Sequence, residues 1–276
     1  MVALIARSVA KYPKYLIIRL ANTQSIVSRS PIKKKIEKYF IKLFYPKADA
    51  IVAVSRSVSD DFKSYTNINH PSIEVIFNPI INERIIQRAN EPNNHPWFNP
   101  KTVPVIIAIG RLSEQKNFSL LLQSFAKVLE STKARLIIFG EGPLRSDLEN
   151  LVKELNLQDA VLLPGVVANP YNYLNNADLF VLSSNYEGLP NALVEALACG
   201  CPVVSTDCQS GPREILDDGK YGILVEPSDV NGLARAILQS LNSENKLIPS
   251  TWLEQFTEDI IVNKYLKLLE RVTKEK

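Results

Sequence analysis

The chain has 276 residues, 46% of them hydrophobic and 22% charged, a balance that excludes a disordered or collagen-like polymer and allows a sizeable packed core. Its length exceeds the roughly 100 to 200 residues of a typical domain, so one large or two modest domains are expected. The net charge is +3, but residues 1–80 hold 13 Lys/Arg against five Asp/Glu, so the first part stands at +8 and the remainder at −5; no apolar run reaches the roughly 18 to 20 residues that span a bilayer, and Met1–Ala10 lacks the apolar core and cleavage site of a signal peptide.

In chain order, Tyr15–Leu20, Ala50–Ser55 and Ile73–Phe77 read as strands, and Ile32–Phe44 and Ser57–Tyr65 as the helices between them. The first of these helices is basic and amphipathic: Lys33, Lys34, Lys35, Lys38, Lys42 and Lys47 surround Ile36, Tyr39, Phe40, Ile41, Leu43 and Phe44. Such a segment suits an anionic membrane surface or an anionic acceptor, and equally a solvated helix face. No nucleic-acid motif accompanies the lysines, so no nucleic-acid partner is expected. Asn90–Lys101, with three prolines and little periodicity, reads as a linker.

Beyond it, Pro104–Gly110, Arg135–Gly140, Ala160–Pro164, Asp178–Ser183, Pro202–Thr206 and Gly222–Val225 read as strands. Phe118–Leu129, Leu144–Leu155, Ala192–Ala198 and Val230–Leu241 read as helices between them. Alternation of this kind predicts an α/β doubly wound domain, whose ligands bind at the carboxyl ends of the strands. Cys199, Cys201 and Cys208 are an odd set, with His70 and His95 remote in sequence. They read as packing residues in a reducing cytoplasm rather than as disulfides or a metal site.

Four strand-to-helix loops carry candidate chemistry. In Gly110–Phe118, Arg111 and Lys116 can hold a diphosphate, one by its planar fork and the other as a point charge, although a charged surface turn explains the loop as well. Gly140-Glu141-Gly142-Pro143 allows close backbone approach to a ligand or is simply a tight turn. Ser183–Asn191 brings glycine, proline and a helix N-terminus to a strand end, a place that suits phosphate. Glu187 at its tip and Glu195 roughly two turns into the helix can accept hydrogen bonds from opposite ends of an extended ligand, or be two exposed acids. Ser205–Glu214 enters another helix through Gly211-Pro212, where its hydroxyls can touch the same ligand.

Glu187 to Thr206, beginning Glu-Gly-Leu-Pro-Asn-Ala-Leu-Val-Glu, resembles the signature of family 4 (group 1) glycosyltransferases: a glutamate, seven residues and a second glutamate. The resemblance implies a GT-B-like fold, with a complete C-terminal Rossmann-like donor domain and a shortened N-terminal acceptor-side domain. It divides the chain into residues 1–89, a linker at 90–102, a donor domain at 103–250 and, at 251–276, a last helix that crosses back to the N-terminal domain. Arg111 and Lys116 would neutralise the donor diphosphate, Glu187 would contact the transferred sugar and Glu195 the ribose. Gly110, Glu141 and the backbone of Gly188, Leu189, Pro190 and Asn191 complete the implied donor site. Ser210–Leu216 looks like members that use UDP-activated hexoses or N-acetylhexosamines.

The implied reaction is transfer of a sugar, with retention of anomeric configuration, from a nucleotide sugar to a glycan or lipid-linked acceptor. Neither a cofactor nor a metal is expected, and the donor loops lack an Asp-x-Asp motif. The expected location is cytoplasmic, and the basic helix adds attachment to the inner face of the membrane as one alternative. The sequence departs from the family at its start: Tyr15–Ser25 looks like a strand and loop midway through the acceptor domain, without the family's opening strand and glycine-rich loop. Donor binding is therefore expected to survive, with unassisted transfer weak or absent. The alternative is a non-catalytic nucleotide-sugar-binding protein, or a subunit that needs a partner.

Overall fold

The computed structural model describes residues 14–23, 31–68, 73–243 and 248–274. The expectations for Met1–Ala10 and His70, and the end of the Tyr15–Ser25 segment, fall outside them. Two compact units are formed, one by Met1–Pro79 with Gln255–Lys276 and the other by Ile80–Glu254.

In the first unit, β1 (Ile17–Leu20), β2 (Ala50–Ala53) and β3 (Ile73–Val75) form a parallel sheet in that order. β2 is buried on both faces, as a parallel strand covered by helices must be. α1 (Pro31–Phe44) and α2 (Arg56–Thr66) connect the strands, and Ser55 caps α2 by accepting from Val58 N–H at 3.1 Å. In the same unit, Phe256 packs on Phe77 with ring centres 5.1 Å apart.

α1 does not bury the whole apolar set read from its sequence. Ile41 is inside, whereas Ile32, Ile36, Tyr39 and Leu43 are exposed. These four recur at spacings of four, three and four, so they form one stripe opposite Ile41.

The second unit opens with α3 (Glu83–Ala89) and is built on six parallel strands. These are β4 (Val105–Ile109), β5 (Arg135–Phe139), β6 (Val161–Gly165), β7 (Leu179–Leu182), β8 (Val203–Thr206) and β9 (Ile223–Val225). Their spatial order, β6-β5-β4-β7-β8-β9, reverses direction between β4 and β7. Helices α4 (Phe118–Leu129), α5 (Arg145–Glu154), α6 (Tyr171–Asn176), α7 (Asn191–Ala198), α8 (Pro212–Ile215) and α9 (Val230–Leu241) follow the strands in turn. Phe125, Leu121, Ile138, Val181 and Ile237 are sealed from water in the core under this sheet. Deleting a side chain such as Phe125 there costs about 3–5 kcal/mol.

The units divide at Pro79/Ile80, ahead of the expected linker, and 90–102 lies inside the second unit. Its contacts explain why: Asn169 Nδ2 donates to Arg88 C=O at 2.9 Å and Glu91 at 2.7 Å, and Asn172 Nδ2 donates to Pro92 C=O at 3.1 Å. His95 packs edge-on to Trp97, Phe98 and Tyr173. At the other end the chain leaves this unit after α10 (Ser250–Leu253), which is held by Trp252 Nε1 donating to Ile215 C=O at 2.9 Å. A 3-10 turn at Glu254–Phe256 then interrupts the expected continuous helix before α11 (Glu258–Lys274).

Candidate functional site

The loops after β4 and β7 leave the sheet where its strand order reverses, the place where a doubly wound sheet opens a crevice. The backbone fixes their approach. Gly110 N–H donates to Phe139 C=O at 3.0 Å and Leu112 N–H to Glu141 C=O at 3.0 Å, which ties the loop after β4 to the loop after β5. A Cβ on Gly140, where φ is +140°, would overlap the Gly110 carbonyl oxygen, so only glycine lets these two loops nest. The stem of Lys116 crosses Gly110, 3.0 Å from where a Cβ would stand.

From the other side, Asn185 N–H donates to Gln115 C=O at 2.8 Å, Asn185 Nδ2 to Glu114 C=O at 2.7 Å and Ser183 Oγ to Lys116 C=O at 2.8 Å. Asn117 caps α4 through its Oδ1, and its Nδ2 donates to Asn185 Oδ1 at 2.9 Å. The two loops are thus joined along their length.

That zipper brings Lys116 Nζ to 2.6 Å from Glu187 Oε1. Ser184 Oγ donates to the same oxygen at 2.6 Å, and Gln115 Nε2 reaches Oε2 at 3.4 Å. Glu187 is only 5% exposed, so its carboxylate is held by these donors rather than by water. An ammonium has three donors, so Lys116 can bind Glu187 and still face an anion.

Arg111, exposed on the same loop, lines a cavity of about 320 Å³ at the carboxyl ends of β4, β5 and β6, together with Gly110, Glu141 and Val166. Glu141 is paired with Arg145 at 2.6 Å. Gly188, Leu189 and Pro190 are buried, and Asn191 opens α7 at the surface. Pro190 supplies no side-chain cap to α7, whose positive end follows directly on the loop that carries Glu187.

Glu195 lies within α7, half-buried and hydrogen-bonded by the Tyr171 side chain. Burial pushes its carboxyl above the usual range, and the Tyr171 hydrogen bond partly opposes that. The Arg88 guanidinium lies over the Tyr171 ring, 5.6 Å from its centre.

Lys116 and Glu187 are therefore in direct contact, Gly110, Arg111 and Glu141 share the cavity, and Glu195 has its own partner, Tyr171. Four further residues of the site, Gln115, Ser184, Tyr171 and Arg88, carry no role in the sequence motifs. Ser184 and Gln115 had a signal, since each stands in a loop already singled out. Tyr171 and Arg88 had none, because they come from short helices outside those loops.

The cysteines are buried, and burial pushes the thiols of Cys199 and Cys208 up to about 12, which keeps them from acting as thiolates. Among the described residues, no group of three or more His, Cys, Asp or Glu side chains is gathered to hold a metal ion.

Residues 90–249, which contain all these loops, match the family described as glycosyl transferases group 1. The chain belongs to this family. Among its relatives, the group 1 glycosyl transferase is 35% identical to the N-acetylgalactosamine-N,N'-diacetylbacillosaminyl-diphospho-undecaprenol 4-alpha-N-acetylgalactosaminyltransferase of Campylobacter jejuni, over 89% of this chain and 65% of that protein. It is also 35% identical to an uncharacterized glycosyltransferase of Methanocaldococcus jannaschii, over 91% of this chain and 68% of that protein. The chain thus spans about two thirds of the length of these relatives. Among solved structures it resembles HepE of Anabaena, crystallised in complex with UDP and glucose, with a TM-score of 0.80 and 20% identity over 98% of this chain and 75% of that one. This likeness carries the fold, α/β with parallel sheets and GT-B-like.

Proposed function

We propose that the second unit binds a UDP-sugar and that the protein transfers its hexose or N-acetylhexosamine, with retention, to a lipid-linked or glycan acceptor. The observation that carries this reading is the Lys116–Glu187–Ser184 cluster at the reversal of strand order. It sets a cation for a diphosphate beside a carboxylate for sugar hydroxyls. The Campylobacter relative is named for N-acetylgalactosaminyl transfer onto a diphospho-undecaprenol-linked sugar, and the HepE crystal held UDP and glucose. Both support the substrate classes.

In this reading the base lies in the cavity beside Gly110, Arg111 and Glu141. Glu195 accepts from the ribose hydroxyls, and Arg111, Lys116 and the start of α7, with the backbone of Gly188–Asn191, face the diphosphate. Glu187 holds the sugar. The bond from the anomeric carbon to the β-phosphate oxygen breaks while the acceptor oxygen bonds that carbon, and the acceptor proton leaves with UDP. Charge growing on the diphosphate is met by two cations and a helix end, which makes the reaction independent of added metal.

The lipid-linked class of acceptor fits a second feature, the exposed stripe of α1. Ile32, Ile36, Tyr39 and Leu43 point outward with Lys33, Lys35 and Lys42 exposed on the same helix. An apolar face edged by lysines suits an anionic membrane surface, and peripheral attachment on the cytoplasmic side is part of the proposal. No described helix is long and apolar enough to cross a membrane.

The test is transfer from UDP-N-acetylgalactosamine, UDP-N-acetylglucosamine and UDP-glucose to a polyprenyl-diphosphate-linked acceptor, with the product read by NMR in the presence and absence of EDTA. An α-linked product from an α-donor, insensitive to EDTA, agrees with the proposal. A β-linked product contradicts retention, and loss of turnover in EDTA contradicts metal independence.

A further inference from the structure

The loop after β8 carries a side chain that the roles above leave unused. Tyr186 and Gln209 form a parallel bridge, and Glu187 N–H faces Gln209 C=O at 3.4 Å, so this loop runs beside the loop that carries Glu187. Ser210 comes next. It is a non-glycine residue with φ of +75°, a region that L side chains rarely adopt. The residue is only 5% exposed, and its Oγ has no hydrogen-bond partner within the protein. At the following Gly211, φ +92°, a Cβ would run into Pro190 and stand 3.2 Å from the Gly188 carbonyl oxygen. The segment is thus pressed against Gly188–Pro190, at the entrance to α7.

Two unfavourable features fall on this one residue. A left-handed backbone strains serine where glycine would be relaxed, and a buried hydroxyl without a partner destabilises the fold. Among the described residues, the other buried side-chain atoms without a partner belong to Thr23 and Asn172, outside these loops. Ser210 alone of the three stands alongside Glu187. Strained residues cluster at ligand sites, and a buried polar atom without a protein partner is a place for a bound group or an ordered water.

We propose that Ser210 is a specificity-determining donor contact, whose hydroxyl hydrogen-bonds the transferred sugar next to the position taken by Glu187. The proposal rests on the donor-site reading and adds to it a residue that senses the sugar rather than the nucleotide. A site built to hydrogen-bond a hydroxyl discriminates against donors that present the wrong group there.

The experiment compares wild type, Ser210→Ala and Ser210→Gly by calorimetric titration with UDP and with UDP-N-acetylglucosamine, together with their thermal midpoints. Both variants should lose roughly fivefold to tenfold in UDP-sugar affinity, the worth of one hydrogen bond, and keep their affinity for UDP. Neither should melt below wild type, since Ala removes an unpaired hydroxyl and Gly also removes the strain. An unchanged ratio of the two affinities in both variants overturns the proposal, and so does an equal loss for UDP and the UDP-sugar. Failure of the wild type to bind UDP overturns the donor-site reading itself, an outcome distinct from a bound UDP with an unmoved ratio.

Discussion

Lys116 Nζ and Glu187 Oε1 lie 2.6 Å apart although 71 residues separate them in the chain. Two loops leaving adjacent parallel strands meet there, and most of both side chains is withdrawn from water, with 17% and 7% exposed. A buried pair of this kind contributes little net stability while whole, but breaking it strands a charge.

Lys116→Ala leaves the Glu187 carboxylate with Ser184 and Gln115 as its remaining side-chain donors. It should destabilise the protein by about 3–5 kcal/mol in denaturant titration. Glu187→Gln keeps a hydrogen-bonding side chain of the same shape and should lose less stability than Lys116→Ala while transfer falls strongly. Equal stability for Lys116→Ala and wild type would mean that the pair does not hold in solution.

Donor affinity should weaken on acidification, with a midpoint above the ordinary glutamate value of 4.5, because burial raises the Glu195 carboxyl and the ribose contact proposed for it uses the charged form. The effect on folding has the opposite sign. A carboxyl raised in the folded state binds its proton more tightly there, so Glu195 favours the folded state below the unfolded pKa, and this is lost as pH rises through the folded value. Titrating UDP binding of wild type and Glu195→Gln across pH 4–8 checks the first point. The variant should bind weakly and without that pH step.

His95, packed among Trp97, Phe98 and Tyr173 with Arg135 nearby, has its pKa lowered by burial and then by that cation. Protons therefore bind the unfolded chain more readily. Stability should decline as pH falls below the ordinary value of 6.5 and level off once pH is below the folded pKa. His95→Phe should remove this part of the acid sensitivity, read as the change in thermal midpoint between pH 7.5 and pH 5.5.

Sedimentation with anionic vesicles should capture the protein at low salt and release it as ions screen the lysines. Ile36→Asp with Tyr39→Asp should abolish capture without changing affinity for UDP, since both residues are in the first unit. Capture that persists in the double variant would place the membrane contact elsewhere.

Much of the second unit was legible in the sequence. Phe118–Leu129 and Val230–Leu241 have the ends that their periodicity gives, since a 12-residue amphipathic helix between strands has few alternatives. The short helices were not legible. Glu83–Ala89 and Tyr171–Asn176 are too brief to show a period, and they are held by contacts remote in sequence: Asn169, just before the second, donates to Arg88 of the first, and Asn172 donates to Pro92. The proline-rich stretch after Asn90 looked like a linker because prolines punctuate it, whereas its aromatic residues pack on Tyr173. In α1 the apolar residues were plain, but only the structure divides the inward Ile41 from the outward Ile36, Tyr39 and Leu43. The candidate loops were visible through their Gly, Pro and charged residues. Which charges meet depends on strand order, and a sequence does not display that β4 lies beside β7.

The most direct measurement is calorimetric titration of UDP into the wild-type chain and into Arg111→Ala and Glu195→Ala. Saturable binding by the wild type, weakened about tenfold or more in each variant, is the predicted result. Binding that neither substitution changes, or no binding of UDP at all, would contradict a donor site in these loops.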